Sequence, residues 1–265
     1  MLFFLALLAL FFSTPIYAQE ASTIPTPTNH PSEDLYQKYI TDYLFLRDAY
    51  EKDYLVYVDK SRIYTKYGTV TTQKEKIDAA KTTAISLNKM VKAYLTAIRT
   101  RLDIYQQSNS TDTETIKIEI SKQESWFDEQ NQIVNSINNE TDFNTWVKTF
   151  NTNYVKVQTD IYTALVLQEV NSKQEALNQI KTLSTSIQSL SGYQANSPSW
   201  INNLAIKTDL IKGYLDDSFT LTQTKQNKKS FQNFYPSAKK NFAKATTYLN
   251  EIVNDLKSVI TKSIQ

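Results

Sequence analysis

The sequence predicts an all-α protein: an elongated antiparallel bundle of about six long helices with coiled-coil-like seams, preceded by a signal peptide and a Pro/Thr-rich spacer. Three observations carry this reading. Only three Gly occur in 265 residues, against a usual share of about 7%, and Gly is what tight hairpins and bulges require. Apolar residues recur every seven positions over long stretches, as helices that pack side by side need. Short polar breaks rich in Asn, Ser and Thr separate those stretches. The expected organisation is a signal peptide at 1–18, an unstructured spacer at 19–31 and a bundle at 32–265, the last as one rod or as two stacked parts of about 32–139 and 140–265.

The leader expectation rests on the unbroken apolar run Leu2 to Phe12, then Ser13-Thr14-Pro15, then Ile16-Tyr17-Ala18 before Gln19. That is the order of an apolar core and a small-residue cleavage site. No Lys or Arg precedes the run, which departs from the usual pattern. A spanning anchor would need about 20 apolar residues, and Pro15 interrupts this run. Export to the periplasm, cell surface or medium is therefore expected, with membrane contact only through the leader if it stays uncleaved. The spacer QEASTIPTPTNHP holds the single histidine, His30, which is read as solvated.

The first helix should open at Ser32, whose hydroxyl can cap free amides while Glu33 and Asp34 complement the helix dipole. Tyr36, Tyr43, Tyr50, Tyr57 and Tyr64 then recur at intervals of seven up to Gly68. Ile77, Ala84, Val91, Ile98 and Tyr105 form a matching second seam. The two segments are expected to make an antiparallel hairpin around Gly68-Thr69-Val70. A third segment, about 113–138, carries a weaker stripe of Ile116, Ile120, Phe127, Val134 and Ile137, interrupted by Gln123 and Gln130. Ile116, Ile118 and Ile120 also alternate like a short strand, though the surrounding Glu and Lys favour helix.

The fourth segment runs from Phe143 to Gly192, with a kink expected at Asn171-Ser172. Ser197-Pro198 opens a fifth helix and Pro236-Ser237 a sixth. LNKMVKAYLTAI at 87–98 resembles LNEIVNDLKSVI at 249–260, a weak echo consistent with a duplicated hairpin.

Composition excludes more chemistry than it suggests. Without Cys there are no disulfides, thiolate metal sites or thiol nucleophiles. With one His in the spacer, a Ser-His-Asp triad and histidine-bearing zinc or di-iron sites lack their residues. The three Gly are too dispersed for a phosphate loop. The adjacent carboxylates Asp128-Glu129 and Asp216-Asp217 face different sides of a helix and read as solvated. No catalytic residue, metal or other cofactor is expected. A net charge of +2 does not suit a nucleic-acid binder.

Two surface candidates remain. The tyrosine row could be an exposed aromatic strip, but seven-residue spacing favours a seam that buries ring bodies. The stretch 225–244 carries Lys225, Lys228, Lys229, Lys239, Lys240 and Lys244 without an acidic residue, interleaved with Phe231, Phe234, Tyr235 and Phe242. Composition favours a corner whose aromatics cap the core beneath solvated lysines. The sharper reading is a surface for anionic envelope polymer or lipid headgroups.

The expected function is that of an exported, non-enzymatic bundle working by surface contact, as scaffold, spacer or envelope-associated binder, with another protein or an anionic polymer as partner. The alternative is a sensory bundle holding a small ligand between helices, which a buried polar pocket among the tyrosines would favour. Asn109 and Asn139 begin glycosylation sequons, which matter only in a eukaryotic secretory pathway.

Overall fold

Each predicted seam lies in one helix among the described residues. The computed structural model describes residues 31–104, 111–189, 198–223 and 231–264. The expected signal peptide, the spacer as far as His30, and Asn109, Lys225, Lys228 and Lys229 lie outside them. Every secondary-structure element among the described residues is a helix: α1 (Pro31–Tyr67), α2 (Val70–Ile104), α3 (Thr111–Ser136), α4 (Glu140–Gln188), α5 (Pro198–Gln223) and α6 (Phe231–Ile264). The described residues form a single packing unit.

The α1–α2 turn follows from two residues. Gly68 sits at φ +60, the left-handed conformation that closes a helix and that a Cβ would strain. Its N–H donates to the Tyr64 carbonyl at 2.8 Å. Thr69 then opens α2, its hydroxyl accepting from the Thr72 N–H at 3.2 Å while the Thr72 hydroxyl accepts from the Thr69 N–H at 3.1 Å. This reciprocal cap satisfies amides that a helix start leaves free.

Cross-helix contacts fix the directions. Lys60 meets Glu75 at 2.8 Å and Tyr43 meets Tyr94 with ring centroids 5.0 Å apart, so α1 and α2 are antiparallel. Lys92 with Asp128 and Lys117 with Asp103 set α3 antiparallel to α2. The Trp146 indole with Gln130 and Asn171 with Thr113 set α4 antiparallel to α3. Lys207 with Asp255 and Tyr214 with Tyr248 do the same for α5 and α6. These last two helices form a second hairpin.

In α3 the strand-like alternation is resolved in favour of helix. Ile116 and Ile120 are buried four residues apart, while Ile118 is 56% exposed. A strand would have turned all three to one face. Gln123 and Gln130, which interrupt the stripe in sequence, are buried and bonded to α4.

Two further boundaries differ from expectation. The helix α4 continues through Asn171-Ser172, because Asn171 is buried and its amide donates to the Thr113 hydroxyl at 3.4 Å. Its 49 residues extend about 74 Å at 1.5 Å per residue. Asn139 caps it, accepting from the Asp142 N–H at 2.9 Å. The helix α6 begins at Phe231 and contains Pro236 rather than starting there. Pro236 is exposed, and burial of Phe234 and Ala238 on the opposite side offsets the backbone hydrogen bond that proline cannot donate.

The long helix α4 serves two apolar clusters. Its first half adds Trp146, Phe150 and Tyr154 to an aromatic ladder with Trp126 and Phe127 of α3, ring centroids 4.9 to 6.4 Å apart. Its second half packs Leu177, Ile180 and Ile187 with Ile211 and Leu215 of α5 and Phe242 and Ile252 of α6. Between the two, the Gln168 side-chain amide donates to the Ile98 carbonyl of α2 at 3.0 Å.

Candidate functional site

The two faces of α6 differ in kind. Its inner face buries Phe234, Ala238, Phe242, Ala245, Ile252 and Leu256. Its outer face begins with Lys239, Lys240 and Lys244, all exposed. At 3.6 residues per turn, Lys240 and Lys244 stack one turn apart and Lys239 flanks them. The sequence contains no Asp or Glu from Ser218 to Asn250.

Among the described residues, nine lysines elsewhere are held in ion pairs with carboxylates. Lys76 meets Glu140 at 2.5 Å, Lys92 meets Asp128 at 2.6 Å, and Lys173 meets Glu169 at 2.6 Å. Lys207 bridges Glu251 and Asp255 at 3.1 and 2.8 Å, and contact with these two carboxylates holds its ammonium above the usual lysine range. Lys240 and Lys244 are exposed and lie in the stretch without acidic residues. The Lys244 ammonium rests 5.1 Å from the Tyr214 ring centroid, a contact that orients the charge without cancelling it.

The aromatic residues of this stretch go elsewhere. Phe234 is 5% exposed and meets the Tyr162 ring edge-on at 6.5 Å. Tyr235 is half-buried with its ring 5.0 Å from that of Tyr162. Phe231 opens α6, and its side chain lies outside the described residues. Phe234 and Tyr235 therefore anchor the start of α6 to α4, and Lys239, Lys240 and Lys244 lie on its exposed side.

The tyrosine row faces α2. Tyr43 and Tyr50 are buried, Tyr57 is half-buried, and the ends of the row lie under cations: the Arg101 guanidinium over Tyr36 at 4.6 Å and the Lys76 ammonium over Tyr64 at 4.5 Å. Burial pushes the phenols of Tyr43, Tyr50 and Tyr94 above their ordinary value. Within α1 the rings of Tyr50 and Tyr57 each meet that of Tyr54, at 6.2 and 6.4 Å between centroids.

The adjacent carboxylates are solvated or paired: Asp216 and Asp217 are exposed, and Asp128 accepts both contacts from Lys92. Among the described residues no group of three or more His, Asp or Glu is placed to hold a metal ion, and no helix is long and apolar enough to cross a membrane.

One polar cluster escaped the sequence reading. Glu119, Lys122 and Lys156 are joined with Asp160 and Gln123 across the α3–α4 interface. Only Gln123, a glutamine inside an apolar stripe, hinted at it.

Comparison of the chain with family models, with curated proteins and with solved structures finds no match.

Proposed function

We propose that this chain is an exported, non-enzymatic helical protein that works by surface contact at the cell envelope, and that the lysine face of α6 holds an anionic polymer or lipid headgroup. The observation that carries the reading is that Lys240 and Lys244 lie exposed one turn apart on α6, within a stretch from Ser218 to Asn250 that contains no Asp or Glu. Lys239 lies on the same face, and Lys225, Lys228 and Lys229 precede it in sequence. A surface that holds cations apart from carboxylates keeps them available to an external anion. The apolar run at 2–12 supports export, and the absence of Cys and near-absence of His support a non-enzymatic role.

The test is retention of the folded protein on immobilised anionic polymer and on vesicles with and without anionic lipid. Wild type should be retained at low ionic strength and released near or above about 0.15 M salt, where screening reaches about 8 Å. Lys240→Glu combined with Lys244→Glu should abolish retention while leaving thermal stability unchanged, since both residues are exposed. Equal retention of variant and wild type at low salt overturns the proposal.

A further inference from the structure

The helix α1 packs against only one other helix among the described residues, α2, and it carries a second ordered stripe besides its tyrosine row. Phe45, Ala49, Val56, Ile63 and Tyr67 lie about a third of a turn from that row. Phe45 is 73%, Val56 52% and Tyr67 60% exposed; Ala49 and Ile63 are half-covered. Lys52 and Asp59 complete the stripe, both exposed. Successive members are spaced by four or three residues, the pattern of a helix that receives another helix. Chains that stay monomeric seldom present an aligned apolar face of this kind to water.

We propose that this stripe is a self-association surface on which α1 pairs antiparallel with α1 of a second copy. The inference does not depend on the lysine face of α6. The order of the side chains is self-complementary, as a two-fold interface requires. Rotation about Val56 places Phe45 beside Tyr67 of the second copy and Ala49 beside Ile63 of the second copy, with Val56 near its own counterpart. The large residues meet at the two ends and the smaller ones towards the middle.

The charges select the direction. Lys52 and Asp59 lie almost symmetrically about Val56, so antiparallel pairing brings each Lys52 next to Asp59 of the second copy. Parallel pairing would set Lys52 against Lys52 and Asp59 against Asp59, which is repulsive. The helix dipoles also oppose one another in the antiparallel arrangement.

The experiment is the molar mass of the full chain by sedimentation equilibrium across a concentration series. Wild type should approach twice the 30.5 kDa of one chain, and Val56→Glu should return it to a single chain with unchanged helix content. Two charge variants make the test specific. Lys52→Asp alone and Asp59→Lys alone each place like charges across the interface and should weaken dimerisation at least tenfold. An equimolar mixture of the two restores both opposite-charge pairs and should recover the dimer. A wild type that stays monomeric, a dimer indifferent to Val56→Glu, or a mixture no tighter than either charge variant alone overturns the proposal.

Discussion

The indole N–H of Trp146 on α4 donates to the side-chain oxygen of Gln130 on α3 at 2.9 Å, with both residues buried. A buried donor must find an acceptor or forfeit its water contacts, so this bond holds one register of α3 against α4. Gln130→Ala should therefore cost about 1–3 kcal/mol for the orphaned indole N–H, in addition to lost packing. Trp146→Phe in a Gln130→Leu background should recover much of it, because neither residue then seeks a partner. Denaturant unfolding of wild type, Gln130→Leu, Trp146→Phe and the double variant measures the coupling; additive effects would show that the bond sets nothing.

The seams that built α1 and α2 were legible because tyrosine and isoleucine spacing depends only on helix period. Gly68 was legible for a similar local reason, as few other residues close a helix at positive φ. Gln123, Gln130 and Asn171 were not, since a polar residue in an apolar stripe looks like an interruption until its partner on another helix is known. Pro236 misled because a proline start is the commoner arrangement, and only the burial of Phe234 and Ala238 on the opposite face shows why the helix extends past it. At the candidate site the lysine cluster was visible as a run without acids. The separation of its lysines from Phe234 needed the packing of α6 on α4.

Tyr50 combines a buried ring, 4% exposed, with a hydroxyl that meets no hydrogen-bond partner among the described residues. Ring and hydroxyl should therefore act in opposite directions. Tyr50→Ala opens a cavity and should cost about 3–5 kcal/mol. Tyr50→Phe removes only the unpaired group and should leave stability unchanged or raise it slightly. Thermal unfolding of the two variants separates these effects; a large loss in Tyr50→Phe would mean the hydroxyl is bonded in solution.

Burial raises the phenols of Tyr43, Tyr50, Tyr57, Tyr94, Tyr154 and Tyr162 above the ordinary value of 10.0. Unfolding exposes them, so the unfolded chain releases these protons first. Their contribution to stability is complete below pH 10 and is lost as pH rises beyond it. Alkaline titration should show the native phenolate absorbance lagging that of the chain in denaturant, then rising together with loss of helix. A native curve that overlays the denatured one would place these rings in water.

At the acid end the deciding group is Glu119, whose carboxylate accepts from Lys122 at 2.6 Å and from Lys156. These two ammonium groups hold it at about 2, against 4.5 for an ordinary glutamate. Its folded value is depressed, so the stability it gives is present above about 4.5 and is lost as pH falls through about 2. Asp160, which shares Lys156, works in the opposite sense: burial raises its carboxyl above 3.8, and protonation favours the folded form. Glu119→Gln should therefore flatten the fall in unfolding temperature between about pH 5 and 2, whereas Asp160→Asn should steepen it. Melting curves of the two variants over that range decide the matter, because a shared electrostatic cause requires their slopes to depart from wild type in opposite directions.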